Sequence, residues 1–276
     1  MPQPAQRKTS SSGTPQFSDL LRNWRKVRKV SQWDLALETG ISQRHLSFLE
    51  SGRSSPSREM VIRLAGTLEL PLREQNGLLN SAGFAAAFSQ NNFDAESMQH
   101  ANHALSIMLK HHEPYPAVVV DRNWNIMMMN EANLKVFGLF MDVMGILEVI
   151  SPGKPPNLAR LTLHDKGAKP YVSNWDEIAG YFVQQLSSEL NANPYNTEAR
   201  ELLDEIMTYP DIPDTHFVPS GAKPYIEFRL RNEDLELSFF SVISTFGTPQ
   251  DVTLQEIRIE TFFAANESTE AYLRAL

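Results

Sequence analysis

The stretch SQWDLALETGISQRHLSFLESGR, which runs from Ser31 to Arg53, predicts two short helices joined by a tight turn. Ser31 is followed three residues later by Asp34, the pattern of a capping box that begins a helix. Gly40 is expected to end that helix, because glycine readily adopts the left-handed conformation found at helix ends. Ser42 then carries the hydroxyl that can cap a second helix. Two short helices joined at a glycine predict a helix-turn-helix.

The second of these helices is expected to be amphipathic. Leu46 and Leu49 are three residues apart and should face the core, while Gln43, Arg44 and Ser47 fall on the opposite face. An α-helix fits the major groove of DNA, where arginine can bind guanine and glutamine can bind adenine through two hydrogen bonds each. We therefore expect a recognition helix for double-stranded DNA.

The side chains expected to contact DNA lie at the helix starts, along the outer face of the second helix and just after it: Gln32, Ser42, Gln43, Arg44, Ser47, Phe48 and Arg53. Gln32 begins the first helix, where a side chain and the helix dipole can meet a phosphate. Arg53 is a second candidate phosphate contact. Phe48 leaves two interpretations open, contact with a thymine methyl group or packing against the next helix.

Apolar residues at a helical period predict three further helices around this stretch. One spans about residues 17–27, one opens at Pro56 and Ser57, and one spans about residues 72–82. Residues 16–90 are therefore predicted to form an all-α head of five helices, preceded by a polar, disordered tail at residues 1–15. A five-helix protein-binding module is the alternative for this domain.

The head resembles the helix-turn-helix of the Xre family of phage-repressor-like regulators. The matching residues are Gln32, Leu35, Ala36, Gly40, Leu46, Leu49, Glu50, Ser51, Gly52, Arg53, Pro56 and Ser57. The resemblance implies a phosphate contact by Gln32 and base contacts by the second helix. It also implies a buried structural ion pair between Arg25 and Glu50, so that Arg25 is not expected to touch DNA.

The distribution of charged residues also separates the head from the rest of the chain. Residues 1–92 hold 12 Lys and Arg against 7 Asp and Glu, a balance of +5, whereas residues 93–276 hold 13 against 26, a balance of −13. A basic head on an acidic remainder predicts that only the head binds a polyanion. With 276 residues, two domains of ordinary size are expected.

Residues 91–276 show the patterns of an α+β domain. Two strand patterns at residues 117–120 and 124–129 flank a turn, and Asn130 can cap the helix that follows. Helical patterns cover residues 93–112, 174–191 and 197–207. Three strand patterns follow at residues 225–230, 235–244 and 253–263, and alternation in the last places Glu256, Arg258 and Glu260 on a polar face. We expect an antiparallel five-stranded sheet with helices on one face.

The hairpin followed by a helix resembles the opening of a PAS domain, and nearly the whole chain resembles the MmyB-like transcription regulators. The residues that carry this match are Arg44 to Phe48, Pro56 to Leu68, Asn80 to Phe84, Asn157, Leu158, Val172 to Trp175, Leu237 to Phe240, Thr245 to Pro249 and Arg258 to Phe263. The resemblance implies a PAS-like ligand-binding domain behind the DNA-binding head and a bacterial, cytoplasmic protein. It does not name the ligand.

Methionine and aromatic side chains are the candidates for effector binding: Met127, Met129, Phe137, Trp175, Phe182, Phe228 and Phe240. Methionine is flexible and polarizable and suits an adaptable apolar pocket, although each residue could equally belong to an ordinary core. No Gly-rich phosphate loop is present. We therefore expect a small lipophilic effector, with a fatty-acyl chain as a candidate. The alternative is an acidic domain without a cavity that binds a protein partner.

Other chemistry has little support in the sequence. His100 and His103 share a helix face but lack a third ligand, and His164 is the only histidine considered for haem, so no metal or cofactor is expected. The chain has no cysteine, and catalytic motifs such as G-x-S-x-G and H-E-x-x-H are absent. An enzyme with a DNA-binding head is therefore the least favoured of the three interpretations. No apolar run is long enough to span a membrane, and a homodimer is expected from the head.

Overall fold

The computed structural model describes residues 16–213 and 224–276, and the expected tail at residues 1–15 lies outside this part of the chain. The chain divides into two compact units. Among the described residues, the first comprises 16–90 together with Gln250–Val252, and the second comprises 91–213, 224–249 and Thr253–Leu276.

The first unit is all-α and has the five helices that the sequence predicts: α1 Phe17–Val27, α2 Gln32–Thr39, α3 Gln43–Glu50, α4 Arg58–Thr67 and α5 Leu72–Ser81. Ser31 accepts a hydrogen bond from the backbone N–H of Asp34 at 3.1 Å and begins α2. Gly40 ends α2 with φ of 70°, the left-handed conformation that a side chain would strain. The local capping residues therefore set both ends of the turn between α2 and α3.

A single apolar core holds the two helices of the helix-turn-helix in place. The largest buried side chains in this unit include Leu21, Trp24, Leu35, Leu46, Leu49, Leu64, Leu68, Leu78 and Leu79. Leu46 and Leu49 anchor α3 from its inner face, as expected from their spacing. The outer face of α3 is thereby directed away from the core.

The second unit is a PAS-like α+β domain. Its helices and strands, in chain order, are a 3-10 turn Glu96–Met98, α6 Gln99–His111, β1 Ala117–Val120, β2 Ile126–Met129, α7 Glu131–Gly138, α8 Val143–Ile150, α9 Leu158–Leu163, a 3-10 turn Lys169–Tyr171, α10 Trp175–Ala192, α11 Thr197–Ile206, β3 Phe228–Arg231, β4 Glu236–Ser244, α12 Val252–Glu256, β5 Arg258–Ala264 and α13 Glu267–Ala275. The five strands form one antiparallel sheet in the order β2-β1-β5-β4-β3. The last strand in sequence is therefore the central strand of the sheet.

Both faces of this sheet are covered, in contrast to the single face expected from the sequence. On one face, Leu105 and Leu109 of α6 pack with Val119 and Ile259. On the other face, the larger core cluster includes side chains of α7, α8, α9, α10 and α11. Because β5 lies centrally between two covered faces, the polar residues on it need partners inside the protein.

The third strand was expected from residue 225, but β3 begins at Phe228. Two further strand boundaries also differ from the sequence prediction. Residues 253–263 do not form one strand, because Val252–Glu256 is a short helix and β5 begins only at Arg258. β2 begins at Ile126, since Trp124 is buried in the turn with φ of 66°. In both places, apolar residues that suit a strand are taken into a turn or helix by tertiary packing.

A β-bulge interrupts the pairing of β1 with β2. Val118 pairs with Met129 and Val120 pairs with Ile126, so the partner strand has one residue more over this interval. Paired residues point to the same face of a sheet. Ile126 and Met129 therefore share a face although they are three residues apart.

Candidate DNA-binding surface and effector cavity

The recognition helix α3 presents its N-terminal polar side chains to solvent. Gln43 and Arg44 are exposed, and Ser47, one turn later, is half-buried. The hydroxyl oxygen of Ser42 caps the helix by accepting a hydrogen bond from the backbone N–H of His45 at 3.1 Å. The capping role leaves the Ser42 hydroxyl hydrogen available to a phosphate oxygen.

The guanidinium groups of two arginines lie over the aromatic ring of Phe48. The guanidinium carbon of Arg44 lies 5.4 Å from the ring centroid, and that of Arg53 lies 5.9 Å from it. Each such cation–π contact at an exposed site contributes about 0.5–1 kcal/mol. The half-buried ring therefore positions two of the expected DNA contacts, a role that neither interpretation of Phe48 from the sequence included.

Arg25 and Glu50 form the ion pair that the Xre resemblance implies. Arg25 Nε lies 2.5 Å from Glu50 Oε1, and Arg25 Nη2 lies 2.9 Å from Glu50 Oε2. Arg22 also donates to the backbone carbonyl of Glu50. Burial of the Glu50 carboxyl raises its pKa, but hydrogen bonds from Arg25 and Gln32 outweigh burial and hold the pKa below its ordinary value.

Gln32 lies at the start of α2, as expected, but its amide is already engaged. Its Nε2 donates to Glu50 Oε2 at 2.7 Å. The second hydrogen of the same amide group is the donor that a phosphate could use. Gln32 is thus oriented by the ion pair, which ties the candidate phosphate contact to the packing of α1 against α3.

The second unit contains a cavity of about 470 Å³ on the face of the sheet that α7, α9 and α10 cover. Its lining includes apolar side chains from β1, β2, α7, α9, α10 and the strands at the other edge of the sheet. Four of the seven expected effector-binding side chains line it: Met129, Phe137, Phe182 and Phe228. The cavity is therefore formed by side chains that the sequence singled out, although they come from four different elements.

The other three expected effector-binding side chains do not line the cavity. Met127 is the extra residue of the bulge and packs with Met128 against the opposite face. Phe240 pairs with Phe263 on that opposite face, with ring centroids 5.5 Å apart. Trp175 donates a hydrogen bond from Nε1 to the carbonyl of Asp211 at 2.9 Å, which holds its ring outside the cavity lining.

Polar side chains in the cavity wall were missed by the sequence analysis: Asn133, Thr162, Tyr181, Ser241 and Glu260. Glu260 was placed on a polar, outward face, but it is only 6 % exposed and its strand is central. Burial raises the pKa of Glu260, and a hydrogen bond from Ser241 opposes that effect only in part. A charged residue within the run Ile259 to Phe263, which is otherwise β-branched and aromatic, was the available signal.

The histidines considered for metal or haem have other surroundings. His100 and His103 are exposed on α6. His164 accepts a hydrogen bond from the backbone N–H of Lys166 at 3.1 Å and packs edge-on against Tyr209. Within residues 16–213 and 224–276, no cluster of three His, Asp or Glu side chains could hold a metal ion. No helix in the same ranges has the length and apolar content needed to cross a membrane.

The helix-turn-helix and the PAS-like domain with its cavity define a DNA-binding regulator with a ligand-binding domain. The family model of the MmyB-like transcription regulator ligand binding domain matches residues 101–276, and a helix-turn-helix model matches residues 21–75. The chain therefore belongs to the MmyB-like transcription regulators, which are not enzymes, and its head is of the Xre type.

Solved structures match parts of the chain. A restriction-modification controller protein from Aeromonas hydrophila is 29% identical over 21% of this chain and 89% of its own, with a TM-score of 0.21. A helix-turn-helix family transcriptional regulator from Vibrio cholerae is 29% identical over 24% of this chain and 36% of its own, with a TM-score of 0.21. The PAS domain of BvgS from Bordetella pertussis is 13% identical over 63% of this chain and 95% of its own, with a TM-score of 0.27. No curated protein matches the chain.

Proposed function

We propose that the chain is a sequence-specific transcription regulator whose DNA affinity responds to a small lipophilic effector held in the cavity of the second unit. The observation that carries the proposal is the apolar cavity of about 470 Å³ on one face of the sheet. Ligand cavities in proteins span roughly 300–1,000 Å³ and are lined mainly by apolar and aromatic side chains. A fatty-acyl chain is the simplest effector of this class.

The energetics allow useful affinity from apolar contact. Burying about a dozen methylenes contributes on the order of 10 kcal/mol gross. Immobilising the ligand costs several kcal/mol, so that affinity in the micromolar range or better follows. Effector binding then shifts DNA affinity by the difference between its affinities for two conformations of the protein.

At the DNA, we assign different roles to the exposed side chains. Gln43, Arg44 and Ser47 contact base edges, while Gln32, Ser42 and Arg53 contact phosphates. Phe48 supports Arg44 and Arg53 through its ring, at the distances given above. If the protein is a homodimer, two heads contact half-sites about 34 Å apart.

Mass spectrometry of the purified protein under native and then denaturing conditions tests the effector. After incubation with a lipid extract, we expect an added mass that leaves on denaturation. Met129→Trp should block the cavity and reduce the added mass, whereas Met127→Trp, on the opposite face of the same strand, should not. Both variants are compared with the wild type by thermal unfolding to establish that they fold.

A protein that stays at its bare mass with every lipid offered would contradict the lipophilic effector. Capture of one protein partner by that ligand-free protein would instead support the protein-partner alternative for the second unit. The DNA assignment has its own test and does not depend on this outcome.

A further inference from the structure

The sheet wall of the cavity carries one acidic side chain in apolar surroundings. Glu260 on the central strand β5 pairs with Val118 on one side and Ile243 on the other, and all three side chains line the cavity. Glu260 is only 6 % exposed. The Ser241 hydroxyl on the neighbouring strand donates to its carboxyl. A carboxyl has about four lone-pair positions, so one hydroxyl leaves most of its acceptor capacity unused.

Hydrogen-bonding capacity is also unused on the helix wall. Asn133 is 6 % exposed and lines the cavity, and its side-chain amide has no hydrogen bond to any described residue. The hydroxyls of Thr162 and Tyr181, which line the same cavity, also lack a hydrogen-bond partner in the described ranges. Buried polar groups in proteins are nearly always paired, so this amide and these two hydroxyls can form hydrogen bonds with a ligand or with water in the cavity.

The described part of the lining carries no positively charged side chain. Among the described lining residues there is no Lys, Arg or His. Arg258 lies on the same strand, but it pairs with Glu189 at 3.5 Å and stacks over Trp124. An ionised carboxylate beside these described residues would be buried without a counter-ion among them, which makes it unfavourable.

We propose that the cavity selects an amphiphile with an uncharged, hydrogen-bond-donating headgroup, such as an alcohol or a primary amide, and that Glu260 accepts the hydrogen bond from it. The proposal rests on the lipophilic effector proposed above and specifies the polar end of that effector. Burial raises the pKa of Glu260, but a carboxyl oxygen accepts from a donor whether or not the group is ionised. Free fatty acids are therefore poorer ligands than the corresponding fatty alcohols or amides.

Calorimetric titration of the full chain with decanol, decanamide and decanoate at neutral pH tests this selectivity, because the three ligands share one chain length. We expect decanol and decanamide to bind about tenfold more tightly than decanoate, the ratio that one hydrogen bond to a charged or polar partner supports. Glu260→Gln should improve decanoate binding, since its amide can donate to a carboxylate. Glu260→Leu should weaken decanol binding about tenfold by removing the acceptor.

Two results would overturn the proposal. One is wild-type protein that binds decanoate as tightly as decanol. The other is a folded Glu260→Gln variant with unchanged selectivity. If neither Glu260 variant folds, the wild-type ranking of the three ligands still decides. Failure of all three ligands to bind would instead refute the lipophilic effector itself.

Discussion

The guanidinium of Arg25 and the carboxylate of Glu50 make two parallel contacts, at 2.5 and 2.9 Å, between α1 and the C-terminal end of α3. The side chain of Glu50 is 2% exposed and that of Arg25 is 13% exposed. The same carboxylate accepts from Gln32. One buried group therefore holds the recognition helix and orients a candidate phosphate contact.

Glu50→Ala should destabilise the first unit by about 3–5 kcal/mol, because it leaves the Arg25 charge buried without a partner. Urea unfolding followed by circular dichroism measures the change. Glu38→Ala, an exposed residue on α2, is the matched control and should change stability by less than about 0.5 kcal/mol. Equal stabilities for the two variants would show that the Arg25–Glu50 pair does not hold α3 in place.

Arg44→Ala should reduce affinity for the cognate DNA site by about 1–3 kcal/mol and relax specificity at one base position. The site is first selected from a random-sequence DNA pool, and binding is then measured on it and on its single-base variants. Arg44→Lys keeps the charge but loses the two-point geometry, so it should restore non-specific binding and not specificity. A uniform loss on all DNA sequences would make Arg44 a phosphate contact.

Phe48→Ala should weaken DNA binding without any direct base contact of its own, because Arg44 and Arg53 lose the ring that positions them. A double-mutant cycle between Phe48→Ala and Arg44→Ala should give a coupling free energy of about 0.5–1 kcal/mol. Phe48→Tyr keeps an aromatic face and serves as the control. Additive effects of the two substitutions would instead favour independent contacts with DNA.

The loss of unfolding free energy in the second unit at acidic pH should depend on the carboxyl group of Glu205. Arg160 pairs with both carboxylate oxygens, at 2.7 and 2.9 Å, and Tyr209 donates to one of them at 2.8 Å. Burial of the carboxyl raises its pKa, but the hydrogen bonds outweigh burial and lower the pKa of Glu205 to about 2. Because this folded-state pKa lies below the ordinary glutamate pKa of 4.5, the stabilisation is complete above pH 4.5 and is lost as the pH falls towards 2.

Urea unfolding of the wild type and of Glu205→Gln across this pH range measures the contribution. The difference in unfolding free energy between them should shrink as the pH falls from 4.5 towards 2. Glu201→Gln, an exposed position on the same helix, is the control for general acid effects. A difference that does not change with pH would exclude Glu205 as the titrating group.

Much of the first unit could be predicted from sequence because its determinants are local. Ser31, Gly40 and Ser42 each act within one helical turn, and Leu46 and Leu49 identify the inner face of α3. The arginines around Phe48 could not be predicted, because the placement of Arg53 depends on the turn that follows α3.

The cavity was predicted less completely because it depends on long-range strand pairing. Glu260 continues the alternation of Ile257 and Ile259 with polar residues, as an outward-facing residue would, and only the insertion of β5 between β1 and β4 buries it. Met127 was proposed for the chemistry of methionine alone, and its placement on the opposite face depends on the bulge. Phe240 was misplaced because neighbouring phenylalanines on a strand face opposite sides.

The bulge also determines how substitutions and deletions in the run of three methionines affect the pairing of β2 with β1. Exchanging one methionine for another apolar residue changes a single contact, whereas deleting one removes the bulge, because Ile126 and the two remaining methionines can then pair one-to-one with Val120, Val119 and Val118. The shortened strand would keep Ile126 in the cavity wall and would lose the local bend and twist that the bulge adds. Relatives that keep this cavity can therefore lack the extra residue of β2 and still present the same pairs of side chains to the cavity.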